Sequence, residues 1–469
     1  MKTLRKTYWY VSSYLEKHGK LLFVAILGST VFLGVLLFFL PKLFSLKPRK
    51  YIGIIGQYTL TSLPLEIQNK MSRGLTTSNE DGEIIPDLVS RWSVENDGKQ
   101  FRFLLKENLE WADGTAVTSA SVLSSFRDTE SLAQNNELLY SLKEPFAPFP
   151  SVMIRPIFLA GKEYPVGFGP YSVRKVTKID DLLKTLELES VDTILVYRFY
   201  STEEQAKMAY KEGKIDQLSH LTNADAFEQW KQTTIHPEIR FDRYVAIFFN
   251  LQDPRFEKPV RQALNYALST PPSQVRAVSP YHPNHWSFNP AVKKYEKDQE
   301  KAIELLIHNI PAQPLSLELT TSTHFSDLAD AMKQEWETFG ARAYQACITL
   351  EEIKNKEMCS NVKIELRVKI SNFPDLASYQ ILLIGQQIPL DPDQYTMWHS
   401  TQTTNFTHYH SPKVDKLLED GRKTIDQLER KTIYAEVQQY LAEDSPAIFL
   451  QHPIEYSIAR TSFRVPGKE

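Results

Sequence analysis

The chain has 469 residues, 42% apolar and 24% charged, with a formal net charge of −3; these are globular proportions with room for two or three lobes. The charge is uneven, with nine Lys/Arg and one acid in residues 1–50 against 45 bases and 56 acids in the remainder. So acidic a body repels phosphate, which excludes nucleic acid as a partner, and it stands off an anionic bilayer.

Leu21 to Leu40, LLFVAILGSTVFLGVLLFFL, runs 20 residues without a charge, the length of a helix that crosses a hydrocarbon core. A cleaved signal peptide is the rival. Its apolar region runs about 7–15 residues and ends at a small-residue site, whereas Pro41-Lys-Leu-Phe-Ser-Leu-Lys47 follows here. The expectation is therefore a cytoplasmic segment over 1–20, an uncleaved transmembrane signal anchor over 21–40, and a short basic linker up to residue 50. Five Lys/Arg precede the span and four follow it closely, so positive-inside counting barely orients it.

The body opens on Tyr51-Ile-Gly-Ile-Ile55, which reads as a strand. Thr77-Ser-Asn-Glu-Asp-Gly82 is a turn by composition. Residues 85–122 then place two glycine turns, Glu95–Gly98 and Trp111–Gly114, around the alternating strand Phe101–Leu105, and cap a helix with Thr118-Ser-Ala-Ser121. Pro145-Phe-Ala-Pro-Phe-Pro150 is a proline-rich break that fits a crossing between lobes. In Gly167-Phe-Gly-Pro-Tyr171 the glycines let backbone approach closely. No Lys-Ser/Thr and no capped helix follow, so it is not a phosphate loop. Thr202 to Ile215 reads as an amphipathic helix ending at Gly213, and Val260, Leu264 and Leu268 share one helical face. Tyr379–Ile384 suits a buried strand. Cys347 and Cys359 exclude a disulfide-dense scaffold and a Cys-rich zinc site. They pair across a loop in an oxidising compartment or remain two buried thiols.

The segment over 85–122, with Pro86-Asp-Leu88, Trp92, the Asp97-Gly98 turn and Trp111-Ala-Asp-Gly114, resembles the signature of family 5 extracytoplasmic solute-binding proteins. These are the oligopeptide- and dipeptide-binding receptors of ABC importers. Further segments resemble the family in the same order: Gly167–Tyr171, Phe248-Phe-Asn-Leu251 with Val260–Leu268, Asp298–Leu306, Ala329–Gly340, Tyr409–Leu418 and Arg430–Asp444. The resemblance implies an α/β, two-lobed periplasmic-binding-protein-like fold of class II, with the extra subdomain of the peptide-binding family. Lobe I would span 51–245 with an inserted subdomain at about 81–160. Lobe II would span 246–445, and 446–469 would return to lobe I, with Pro446–Leu450 as the returning strand. The resemblance places the body outside the cytoplasm; with the span over 21–40, and without the Cys of the lipoprotein anchor common in the family, the expectation is a membrane-anchored receptor with a monomeric body. It would capture peptides in an interlobe cleft for an ABC permease and ATPase, without enzymatic activity or cofactor. The alternatives are a surface scaffold or sensor without transport, and a receptor for a non-peptide ligand such as a metal chelate.

In this family a carboxylate in a "W-x-x-D-x-x-D-P" stretch holds the peptide's α-ammonium through a charge-assisted bond. Aligned on Asp391-Pro392, this chain has Gly385 at the Trp position and Ile388 at the Asp position. Asp391 or Asp393 substitutes if the loop shifts, the ligand carries no free amine there, or both carboxylates only structure the turn. The expected ligand contacts are Gln387, Asp391, Tyr395 and Trp398, with Gly169 and Tyr171 from the glycine turn. Tyr395 and Trp398 suit a cleft wall or packing beneath the loop. His282, His285, His399, His408 and His410 read as loop histidines rather than a metal site, which needs three or four converging ligands. No G-x-S-x-G, H-E-x-x-H or Walker pattern occurs.

Overall fold

The computed structural model describes residues 2–43 and 47–461. Residues 44–46 of the expected linker and 462–469 of the expected return segment lie outside the described residues. The apolar run lies on the helix Lys2–Leu43, with Leu21, Phe23, Val24 and Ile26 exposed. Among the described residues no single helix is long and apolar enough to cross a membrane; Thr7–Leu21 and Phe23–Gly34, meeting at a 58° bend, meet that test of length and composition as a pair.

Lobe I is built on a seven-stranded sheet. Its order is Thr233–Ile239, Ile454–Arg460, Gln217–Leu221, Arg49–Ile55, Ile194–Tyr200, Leu182–Glu189 and Ser172–Ile179. Arg49–Ile55, which contains the expected first strand, lies parallel to both of its neighbours. A separate four-stranded antiparallel sheet, ordered Val89–Glu95, Gln100–Leu105, Glu137–Leu142, Thr129–Gln134, forms the subdomain. Period-2 alternation drives Phe101, Phe103 and Leu105 into its core while the residues between them are half-exposed. The Thr118 side chain accepts the Ser121 N–H and the Ser121 hydroxyl accepts the Thr118 N–H, a reciprocal cap on Ser119–Val122.

Lobe II is a five-stranded sheet, ordered Ile364–Ile370, Leu315–Thr321, Ile381–Gln387, Arg243–Phe249, Ala447–Gln451. Arg243–Phe249 is central and apolar on both faces. Val245, Ile247 and Phe249 join the core beneath the helices Lys258–Ala267, Gln299–His308 and Ser326–Thr349. Tyr244, Ala246 and Phe248 join the opposite core beneath Pro412–Lys423 and Gln427–Asp444. Near the end of Ser326–Thr349, Cys347 is bonded to Cys359, with Cα atoms 5.7 Å apart.

One expectation is corrected here. The strand at 447–451 does not return to lobe I; it pairs with Arg243–Phe249 in the second sheet. The return is made by Ile454–Arg460, which pairs with Thr233–Ile239 and Gln217–Leu221. Its apolar run suits either sheet, and only the pairing partner decides. Two short segments, 240–242 and 452–453, therefore carry the chain between the lobes.

Candidate functional site

A cavity of about 680 Å³ lies between the lobes, within the size range of small-ligand sites. Three pieces of chain build most of its walls, and Leu65, Asp242, Tyr244, Thr396, Met397 and Thr404 complete them. The first is the hairpin Thr76–Ser78 and Ile84–Pro86 of the subdomain side. Its turn is set by Asn79, whose side-chain oxygen accepts the Asp81 and Glu83 N–H groups. The second is the loop carrying His282 and His285. The third is the end of the strand Ile381–Gln387 and the segment to Gln394.

These pieces are tied together. The Trp286 N–H donates to the Asp81 carbonyl across the cleft (2.9 Å), and the Ala147 N–H donates to the Arg422 carbonyl (2.8 Å). Gly82 has φ +76° and its Cα lies against the His285 ring, so an added Cβ would strike the imidazole. The Ile388 N–H donates to the Asp242 carbonyl (2.8 Å), which fixes the third wall to the first interlobe crossing.

Of the carboxylates that line the cleft, Asp242, Asp393 and Asp391 are engaged by arginine, Glu83 accepts from the Asn79 side-chain amide, and Glu80 is exposed in the hairpin turn. Asp242 receives Arg240 in a bidentate pair (3.0 and 2.8 Å) and Arg243 at 3.3 Å. Asp393 receives two guanidinium nitrogens of Arg422 (3.0 and 2.9 Å) and the Tyr395 N–H. Burial pushes the Asp393 carboxyl above the usual carboxylate range, and Arg422 offsets this only in part. Asp391 takes both terminal nitrogens of Arg430 (2.6 and 3.1 Å). Arg430 also donates to the Gly421 carbonyl and the Tyr434 hydroxyl. This pair borders a second cavity of about 300 Å³, beside the first, lined also by Trp92, Phe101 and Trp286. Burial lowers both cleft histidines, His285 to about 4 with His282 adding to the effect, so both imidazoles are neutral at neutral pH.

The expected site residues separate. Gln387 lines the main cavity, as does Ile388, which stands where the sequence motif led to an acid being expected. Asp391 lies on the second cavity, already saturated by Arg430. Tyr395 stacks on His399 (4.2 Å) and is covered by the Arg422 guanidinium (4.1 Å), with Thr396 and Met397 presented to the cavity instead. Trp398 is fully buried among Phe248, Phe406, Tyr409 and Phe449; it is core, because the helical turn Tyr395–Trp398 points that side inward. Gly169 and Tyr171 line neither cavity. Their N–H groups donate to the Met71 and Lys70 carbonyls beneath the helix Leu65–Met71. A Cβ on Gly169 would strike the Lys70 carbonyl, so this turn closes lobe I. The hairpin residues Ser78 and Glu80, the crossing residue Asp242, and Tyr244, His282 and His285 were not anticipated as cavity walls. Composition marked the turn and the paired histidines, but nothing local ties them to one cavity. Among the described residues no group of three His, Cys, Asp or Glu side chains is placed to hold a metal.

The family model "Bacterial extracellular solute-binding proteins, family 5 Middle" matches residues 83–351, more than half of the chain. The oligopeptide-binding protein AppA of Bacillus subtilis is 22% identical over 478 aligned residues, covering 86% of each chain. Among solved structures, the substrate-binding protein CtaP of Listeria monocytogenes aligns with a TM-score of 0.70 at 20% identity, covering 88% of this chain and 94% of that one. NikZ of Campylobacter jejuni, in complex with Ni(L-His), aligns with a TM-score of 0.69 at 21% identity, covering 89% and 95%. At these identities the structural likeness establishes the fold.

Proposed function

Because the chain belongs to family 5 of the bacterial extracellular solute-binding proteins, we propose that it captures peptides in the interlobe cavity and hands them to the permease of an ABC importer. It is a receptor and not an enzyme, as its family is. The observation that carries the peptide reading is the cavity itself. Both lobes line it, and among the described residues segments 240–242 and 452–453 carry the chain between them, an arrangement suited to hinge closure on a ligand. The comparison with an oligopeptide-binding protein along most of the chain supports it. Isothermal titration of the full chain in detergent against a library of short peptides tests it. Saturable heat with at least one peptide is expected, and no binding at millimolar concentration refutes it.

In this reading residues 21–40 anchor the body to the membrane on its outer side. The exposed apolar side chains of Leu21, Phe23, Val24, Ile26 and Leu27 support the anchor. The Cys347–Cys359 bond supports an oxidising compartment for the body. Alkaline carbonate extraction of membranes leaves an anchored chain in the pellet, and release into the supernatant refutes the anchor.

A further inference from the structure

Apart from Glu80 in the exposed hairpin turn, the main cavity offers a ligand no unpaired charge. None of the described residues that line it is Lys or Arg, so a ligand carboxylate would meet no cation. Of its carboxylates, Asp242 is held by Arg240 and Arg243, and Asp393 by Arg422. In the adjoining cavity Asp391 is held by Arg430, and Glu83 accepts from the Asn79 side-chain amide. A ligand ammonium reaching any of the three aspartates would meet a carboxylate whose charge a guanidinium already neutralises. Glu80 stands outside these pairs, but it sits exposed in the hairpin turn, where water screens it.

What remains is neutral. The apolar wall is Leu65, Tyr244, Ile388, Pro389, Leu390 and Met397. The neutral polar groups include the Gln386 and Gln387 amides, the Ser78 hydroxyl, and the imidazoles of His282 and His285. Burial keeps both imidazoles uncharged. Such a surface hydrogen-bonds amide groups and buries apolar side chains, while an unpaired terminal charge brought into it loses its water without compensation. Ile388 reinforces this: it places a hydrocarbon chain, only 8% exposed, on the wall.

We propose that this cleft selects peptides whose ends carry no charge, blocked or cyclised, over free zwitterionic peptides of the same sequence. The proposal rests on the peptide-receptor reading above and narrows its ligand class.

The test titrates the full chain in detergent with Leu-Ala-Leu, free at both ends, and with its N-acetylated, C-amidated form. The same pair is titrated into Glu80→Gln and Arg422→Met variants. The blocked peptide is expected to bind at least about ten-fold more tightly, with the same preference in Glu80→Gln. Arg422→Met removes the cation that holds the buried Asp393 carboxyl ionised, so Asp393 goes over to its neutral form and the preference for the blocked peptide is expected to persist. Equal or tighter binding of the free peptide overturns the proposal while leaving the peptide reading intact. If that binding also disappears in Glu80→Gln, the turn carboxylate is an ammonium anchor. Binding of neither form overturns the peptide reading, and this inference with it. Should Arg422→Met fail to fold by circular dichroism, the wild-type and Glu80→Gln titrations decide alone.

Discussion

Replacing Arg430 by Met asks whether Asp391 is a structural counter-ion or a ligand anchor. The side chains of Asp391 and Arg430 are only 10% and 7% exposed, so the substitution strands a carboxylate in a largely dry site. Removing one partner of such a pair costs about 3–5 kcal/mol. The lost hydrogen bonds to the Gly421 carbonyl and Tyr434 hydroxyl push the value toward the upper end. Asp391→Asn keeps an acceptor and leaves Arg430 its other partners, so its cost is smaller, about 1.5–3 kcal/mol. In the Asp391→Asn/Arg430→Met double variant no charge remains, and the total should fall short of the sum by about 2 kcal/mol. Urea denaturation followed by tryptophan fluorescence measures all three; Trp286 lies 5.6 Å from the Arg430 guanidinium and reports the site directly. Peptide titrations on the folded variants complete the cycle. If Asp391→Asn costs under about 1 kcal/mol yet abolishes peptide binding, the carboxylate serves the ligand, and the saturated-cleft argument fails.

Three further outcomes are expected. Gly82→Ala strains a backbone at φ +76° and drives a methyl into His285; it should cost about 1–3 kcal/mol and weaken peptide binding, with His285→Ala restoring part of the affinity in titration calorimetry. Hydrogen bonds to Glu455 and then Glu66 raise His220 to about 9 from the ordinary 6.5. A raised folded-state pKa means its contribution is full below the ordinary value and is lost as pH climbs through about 9. Urea midpoints should therefore decline across that window in wild type and run flatter in His220→Gln; parallel profiles would exclude His220 as the cause. Replacing both Cys347 and Cys359 by Ser, which opens a link of sequence separation 12, should cost about 2–4 kcal/mol. Reducing agent should produce the same shift in the wild-type denaturation curve and none in the variant.

Much of the scaffold was legible because its signals are local. The alternation at Phe101, Phe103 and Leu105, the Thr118 cap and the shared face of Val260 and Leu264 each depend on residues close in sequence. The Gly167–Tyr171 turn was recognised as a close backbone approach, yet its partner, the helix Leu65–Met71, lies about a hundred residues earlier. Sequence proximity to Asp391-Pro392 therefore misled at Trp398: one helical turn sends Thr396 and Met397 to the cavity and Trp398 into the core.

By itself the sequence determined the family, several of its strands, caps and helices, and the absence of an acid at position 388. Periodicity, caps and glycine turns are written within a few residues of where they act. Tertiary structure alone decided which sheet receives Ala447–Gln451, because an apolar strand carries no address for its partner. It alone decided that Asp391 and Asp393 are held by Arg430 and Arg422 from helices some thirty to forty residues away. It also brought Ser78, Asp242 and His285 to one cavity. The charge a cleft presents depends on which arginine reaches which carboxylate, and that is settled only when the lobes pack.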